Sequence, residues 1–370
     1  IPLKGSVLQF SFKLTKRKVI KGGDIMIRVL IADDSAFMRK LLSDVFEEDK
    51  DFVVVDTARN GQDAVEKVKR LKPDLVTMDV EMPVMDGLTA VEIIMRENPL
   101  PIIMVSSLTS VGADATIKAL SLGAVDFIQK VSSPISSVSG IKEEILEKCK
   151  AAAGANIKER NIMKTFKIDM TIKPTVSKSL FKEKIIGIGT STGGPRALQE
   201  IITNLPGDLP CGVVIVQHMP PGFTKSLATR LDSLTELKVK EAEDNDVIEA
   251  GKVFIAPGDY HMTVEDRNNQ RVIKLNQSPP LSSHRPAVDV LFESLTKYGD
   301  KVIAAILTGM GSDGAKGIKL IREAGGRTLA EDKSTAVVYG MPKVAVELGG
   351  IDEVLPIEAV AGELSRLAKK

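Results

Sequence analysis

The sequence predicts an α/β protein built as two doubly wound domains, and three observations carry that prediction. Its 370 residues exceed what one hydrophobic core usually organises. From Met26 onward, short β-branched apolar runs alternate with amphipathic helical stretches, the pattern of a parallel sheet covered by helices. A second alternation, of different composition and without simple internal duplication, starts at Lys184 after a weakly patterned, lysine-rich stretch.

The opening stretch IPLKGSVLQFSFKLTKRKVIKGGDI scatters apolar residues among lysines and lacks a signal peptide's compact apolar region. Lys21-Gly22-Gly23-Asp24 can be encoded as AAAGGAGGTGAT, a purine-rich stretch like a bacterial ribosome-binding site, so residues 1–25 are expected to be a non-native or disordered extension. Residues 26–148 form the first domain, with IRVLIA, FVVVDTA, DLVTMDV, PIIMVSS and DFIQK as strands. AFMRKLLSDVFEE, GQDAVEKVKRL and LTAVEIIMREN read as the helices between them. A closing helical stretch near IKEEILEKCKAAAGA leads into a linker over 149–182. The second domain, 183–370, reads as strands in KIIGIGT, CGVVIVQ, LKVKEAE, KVFIAPG, VIKLN and KVIAAILTG. Its helices are PRALQEIITNL, FTKSLATRLDSL, AVDVLFESLTKYG and GAKGIKLIREAG, around a mainly parallel sheet.

Lys+Arg (50) nearly cancel Asp+Glu (49), which gives no electrostatic case for a nucleic-acid or anionic-membrane partner. No apolar run reaches membrane-spanning length, so no direct membrane insertion is expected. Cys149 and Cys211 lie far apart without metal-ligand neighbours; a cytoplasmic protein fits this usage best.

In a parallel sheet the carboxyl ends of strands lie side by side, and here they carry Asp33 and Asp34 after VLIA and Asp79 at the end of LVTMD. Three converging carboxylates repel one another, and a hard divalent cation, usually Mg²⁺, relieves that repulsion. Ser106 and Lys130 end the next two strands and add a hydroxyl and an ammonium to the same rim. A cation and a lysine beside one ionised aspartate suit attack on phosphorus. Any one of these residues alone would be read as a helix cap; five at successive strand ends are not explained that way.

In VLIADDSAFMRKLL, DLVTMDVEMPVMDG, IIMVSS and GAVDFIQK the first domain resembles a response-regulator receiver domain, flavodoxin-like in fold, over essentially all of its length. The resemblance implies that Asp79 accepts a phosphoryl group from a histidine kinase and that Asp33, Asp34 and Asp79 hold Mg²⁺. It also implies that Ser106 senses the phosphate, that Lys130 pairs with it and that Phe127 is the switch aromatic. Val131 follows Lys130 where the family usually has a proline.

The stretch IIGIGTSTGGPRAL offers three readings of one glycine-rich turn. The dinucleotide pattern G-x-G-x-x-G fails because Thr192 stands at its third glycine, and a P-loop fails because Pro195 and Arg196 follow Gly194 in place of Lys-Ser/Thr. Gly189-Thr190-Ser191-Thr192-Gly193 does match G-x-S-x-G, between a strand and a helix as a nucleophile elbow requires. A serine nucleophile needs a base, and the histidines are His218, His261 and His284. The α/β-hydrolase chain order permits Ser191, Asp259 and His284, whereas strand-end placement favours His218 and Asp313.

The second domain, in IGIGTSTGGPRAL, VVIVQHMPPGFTKSLATRL, VFIAPGDYHM, HRPAVDVLFESL and AAILTGMGSDGAKG, resembles the chemotaxis protein-glutamate methylesterases, the CheB family, which joins receiver, linker and esterase in this order. The resemblance implies Ser191 as nucleophile, His218 as general base and acid, and Asp313 as its orienting partner. The backbone N–H of Met310 and the Ser191–Thr192 turn would stabilise the oxyanion, and His284 and Arg285 would line the groove or brace its loops. The implied reaction is hydrolysis of glutamate γ-methyl esters on methyl-accepting chemotaxis receptors with release of methanol, without a cofactor in the esterase domain. Glutamine deamidation at the same positions is the same acyl transfer with ammonia leaving. The unphosphorylated receiver is expected to cover the Ser191 groove, and phospho-Asp79 to loosen it through Ser106 and Phe127. A DNA-binding output is disfavoured by the absence of a basic recognition helix. A general small-ester hydrolase output is the alternative; it keeps the triad and leaves the receiver unexplained.

Overall fold

The computed structural model describes residues 19–21, 24–107, 109–130, 138–155, 157 and 184–370. The first domain runs β1 (Val19–Lys21), β2 (Asp24–Ala32), α1 (Ala36–Glu47), β3 (Phe52–Ala58), α2 (Gly61–Leu71), β4 (Leu75–Asp79), α3 (Gly87–Glu97), β5 (Ile102–Ser106), α4 (Ser110–Leu122), β6 (Asp126–Gln129) and α5 (Val138–Ala153). Strands β3, β2, β4, β5 and β6 lie side by side in that order, all parallel, while β1 runs antiparallel to the start of β2. This is the flavodoxin-like winding, with the switch point between β2 and β4. Strands β4 and β5 are buried along their whole length, which is why they read as unbroken apolar runs.

The helices start where the sequence supplies caps. Ser35, Asn60, Asp86 and Thr109 each accept, through their side chains, the N–H three residues on, at the starts of α1, α2, α3 and α4. Helices α2, α3 and α4 cover one face of the sheet through Val68, Ile94 and Leu120; α1 and α5 cover the other through Leu42, Phe46, Ile145 and Cys149. Each such buried side chain stabilises the fold by roughly 1.5–3 kcal/mol. Helix α5 runs through the expected 148/149 boundary, with Cys149 and Ala152 buried against the first sheet. Of the expected 1–25 extension, Val19–Lys21 pairs with Asp24–Met26. Residues 1–18, Val131 and residues 158–182 of the expected linker lie outside the described residues.

The second domain runs β7 (Ile185–Thr190), α6 (Gly194–Asn204), β8 (Gly212–Gln217), α7 (Phe223–Asp232), β9 (Lys238–Glu241), β10 (Lys252–Ile255), β11 (His261–Arg267), β12 (Gln270–Asn276), α8 (Val288–Leu295), β13 (Val302–Ile306), α9 (Ala315–Glu323), β14 (Arg327–Glu331), α10 (Met341–Glu347), β15 (Glu353–Leu355) and α11 (Ile357–Ala368). Its seven-stranded sheet has the order β15-β14-β13-β7-β8-β10-β9, all parallel, and β11 and β12 form a separate antiparallel hairpin. The chain starts at β7, winds outward through β8, then returns to β13 on the other side. The sheet's switch point therefore lies between β7 and β13, where ligands of such folds bind. The helix expected over AVDVLFESLTKYG stops at Leu295, and a 3₁₀ turn containing Gly299 at φ 53° follows.

One apolar cluster runs from the α2–α4 face of the first domain into the α6, α7 and α11 face of the second. Helix α4 packs against α6 and α7 at the join. The second domain's other face is filled by α8, α9, α10 and the hairpin, through Val288, Phe292, Ile318, Met341 and Met262.

Candidate active site

Ser191 leaves the carboxyl end of β7, His218 that of β8, and Asp313 sits in the loop after β13, so the three converge at the switch point. The turn around Ser191 needs its glycines for different reasons. Gly193 has φ +80°, where a side chain is strained, and a Cβ on Gly194 would overlap the Gln217 amide. Gln217 uses that closeness: its Nε2 donates to the Ser191 carbonyl at 3.0 Å and to the His218 carbonyl at 3.1 Å. From the other side the Thr308 carbonyl accepts the Ser191 N–H at 3.0 Å and the Thr190 hydroxyl at 2.8 Å. The Thr308 hydroxyl in turn donates to the Thr192 carbonyl at 2.9 Å. Among the described residues, neither the Thr192 N–H nor the Met310 N–H, the two expected oxyanion donors, donates to a backbone acceptor.

His218 Nε2 lies 2.7 Å from Asp313 Oδ2, and both side chains are buried. Asp313 also accepts the N–H groups of Val288 at 2.6 Å and Asp289 at 2.9 Å, which places its carboxylate at the amino end of α8. Burial works to raise the pKa of Asp313. The hydrogen bond from His218, its charge and the two N–H groups outweigh burial, and hold the carboxyl below its ordinary value. Asp313 therefore stays ionised and keeps the proton on Nε2 of His218. Among the described residues, Nδ1 of His218 is buried without a hydrogen-bond partner.

The remaining histidines separate cleanly. The His284 ring stacks on that of His218 at 3.8 Å between centroids and 16° between planes. Burial, then the charge of His218, brings the His284 pKa down to about 4, so it faces His218 as a neutral plate. His261 accepts the Ala287 N–H on Nδ1 and bonds the Pro279 carbonyl through Nε2, both at 3.2 Å, a fully used core histidine. Asp259 binds Arg285 at 2.5 and 3.0 Å and Gln277 at 3.1 Å, not His284. The alternative order Ser191, Asp259, His284 is thus not assembled. Arg285 spends its other bonds on the Gln277 and Ser278 carbonyls and braces the loop leading to His284.

On the first domain, Asp33, Asp34 and Asp79 each offer an oxygen within 4.8 Å of the others. A set of three hard oxygen donors fits a divalent cation of the Mg²⁺ type. Lys130 Nζ lies 2.6 Å from Asp79 and 3.1 Å from Asp33. Burial, helped by the charge of Asp33 and opposed by Lys130, pushes the Asp79 pKa up to about 6. Ser106 is buried and its hydroxyl reaches the Gly112 carbonyl at 3.2 Å.

Three contacts, none of them foreseeable from the sequence, join the two sites, and a fourth within the receiver braces them. Thr192, next to Ser191, donates its hydroxyl to Asp126 at 2.5 Å, and Gly193 donates its N–H to the Val125 carbonyl at 3.2 Å. Phe127 stacks on Phe223 at 4.4 Å and 18°. Lys148 of α5 holds the Phe127 carbonyl at 2.9 Å. Strand β6 thus presses on the nucleophile turn at one end and carries Lys130 to the acidic pocket just past the other.

An acidic pocket on one α/β domain, and Ser191, His218 and Asp313 gathered at the switch point of the next, point to a hydrolase joined to a receiver. Residues 186–364 match the CheB methylesterase family model and residues 29–139 the response regulator receiver domain. The chain is 49% identical to a protein-glutamate methylesterase/protein-glutamine glutaminase of Symbiobacterium thermophilum, over 92% of this chain and 96% of that one. It is 46% identical to the protein of the same description from Archaeoglobus fulgidus, over 92% and 97%. A crystal structure of the Thermotoga maritima CheB methylesterase catalytic domain matches at 51% identity and TM-score 0.49, covering 50% of this chain and 98% of that one. The chain belongs to the CheB family of receiver-linked methylesterases. Among the described residues, no helix is long and apolar enough to cross a membrane.

Proposed function

We propose that this chain hydrolyses glutamate γ-methyl esters on chemotaxis receptors in the cytoplasm, with Ser191 as nucleophile, His218 as base and acid, and Asp313 as the group that orients His218. The observation that carries the assignment is the 2.7 Å His218–Asp313 pair beside the Ser191 turn. His218 Nδ1 takes the Ser191 proton as Oγ attacks the ester carbonyl carbon, and the oxyanion forms against the N–H groups of Thr192 and Met310. His218 then gives its proton to the departing methoxide, methanol leaves, and a water deprotonated by His218 clears the acyl-serine. A receptor glutamine carboxamide follows the same path with ammonia leaving. A positioned base supplies about 10²–10⁴-fold and an oxyanion donor about 10²–10³-fold, so useful turnover needs both.

The receiver, from 26 to the end of α5 at Ala153, is joined by a linker to the esterase, 183–370, and controls it. Asp79 takes the phosphoryl group from the phosphohistidine of a histidine kinase, its oxygen forming the new P–O bond as the P–N bond breaks. Asp33, Asp34 and Asp79 would hold Mg²⁺, which when bound offsets the negative charge gathered there. Lys130 turns toward the phosphoryl oxygens, and Ser106 donates to them. Because Lys130, Phe127 and Asp126 share one short run, this rearrangement draws on the contacts of Phe223, Thr192 and Gly193 and frees the turn. Methanol release from methylated receptors tests the chemistry. Ser191→Ala, folded as judged by its melting profile, releases none; release near the wild-type rate would overturn the serine mechanism.

A further inference from the structure

We infer that Glu331 is a positioning residue for the oxyanion donors, acting through Thr308; the inference rests on the serine mechanism above and goes beyond it. Glu331 ends β14 and is 1% exposed. Its Oε2 accepts the Thr308 N–H at 2.8 Å and its Oε1 the Thr335 hydroxyl at 3.0 Å, so both oxygens are fixed.

Thr308 is the hub between the two loops that supply the oxyanion donors. Its carbonyl binds Thr190 and Ser191, its hydroxyl donates to the Thr192 carbonyl, and the Val338 N–H donates to that hydroxyl at 3.0 Å. Two residues on, Met310 presents the second donor, and a Cβ on the intervening Gly309 would press on Ser191 Cβ at 2.9 Å. A shift of Thr308 therefore changes the spacing between the Thr192 and Met310 N–H groups. The peptide plane of Thr308 is set on its N–H side by Glu331, through a bond from the buried amide to the buried carboxylate, which is short and directional. Oxyanion donors act only when aimed at where charge develops, so their misplacement weakens the transition state and leaves substrate binding intact.

The test uses the full chain, phosphorylated with phosphoramidate, on methylated receptor membranes, with active serines counted by a fluorophosphonate. Glu331→Ala lowers kcat per titrated serine by about 10–100-fold, with KM within about twofold, the signature of an interaction made in the transition state. Glu331→Gln, which keeps an acceptor for the Thr308 N–H, restores kcat to within about threefold of wild type, the loss expected from a neutral in place of a charged acceptor. A Glu331→Ala protein with unchanged kcat per serine, or with kcat and KM altered alike in the alanine and glutamine variants, overturns the inference. Should the alanine variant not fold, Thr335→Val removes one of the bonds that hold the carboxylate and carries the test. A severalfold fall in kcat at constant KM is then expected, and an unchanged kcat refutes it. Ser191→Ala separates the two readings: if it still releases methanol the serine mechanism fails, whereas an inactive Ser191→Ala beside an unaffected Glu331→Ala sinks this inference alone.

Discussion

Removing the Asp126 carboxylate is expected to switch the unphosphorylated protein partly on. Asp126 accepts the Thr192 hydroxyl at 2.5 Å, one residue from the nucleophile. A hydrogen bond to a charged group contributes about 1.5–3 kcal/mol. Asp126 is half-buried, which argues for the lower end of that range. At about 1.4 kcal/mol per factor of ten, Asp126→Ala shifts the balance between covered and free turn roughly tenfold toward free. The Gly193–Val125 bond and the Phe127–Phe223 stack remain, so the receiver still docks and phosphorylation still activates further. The assay is methanol release from methylated receptor membranes, without and with phosphodonor, for wild type and Asp126→Ala. Basal rate rises about tenfold while the phosphorylated rates coincide within about twofold. An unchanged basal rate in a variant that still responds to phosphodonor refutes the idea that this contact restrains the turn.

His284 makes the fold acid-sensitive: the unfolded chain binds its proton near 6.5 and the folded chain only near 4, so stability falls as pH drops through that window. The charges of His218, Asp313, Lys148 and Glu144 all act on this ring, and His218 stacks on it. At up to ~1.4 kcal/mol per pH unit, less near each end of the window, the loss between pH 6.5 and 4.5 is about 2 kcal/mol, and His284→Phe, which stacks without titrating, retains about 5 °C of Tm at pH 4.5 relative to wild type; parallel Tm–pH curves contradict this. Chelation of divalent cations is expected to abolish the phosphodonor-dependent increment and leave basal hydrolysis in place, since the carboxylate cluster lies on the receiver; loss of basal hydrolysis on chelation contradicts that division.

Strands buried on both faces, such as β4, β5, β7, β8 and β13, are continuous apolar runs and were legible as such. The carboxylates, Ser106 and Lys130 were legible because a parallel sheet collects its strand ends, whatever the details of packing. Chain order permitted Asp259 with His284, whereas strand-end placement favoured Asp313 with His218. The decision comes from β13 lying next to β7, a crossover that no local pattern encodes. The end of the chain was less legible. Strand β15 is a three-residue edge and α10 has seven residues, too short for a period to declare itself. Helix α11 did carry a signal, with Ile357, Val360, Ala361, Leu364 and Leu367 on one face. Asp126–Thr192 and Glu331–Thr308 were illegible for a plainer reason. Each joins residues 66 and 23 positions apart, and only the folded arrangement makes either side chain unusual.

The central claim is that this is a methylesterase whose Ser191 site opens when Asp79 is phosphorylated. Methanol release from methylated receptor membranes, measured for wild type and Asp79→Ala with and without phosphodonor and Mg²⁺, tests it most directly. The account predicts a large rise in rate for wild type and none for Asp79→Ala, whose basal rate persists. Equal stimulation of both proteins, or no methanol from either under any condition, contradicts it.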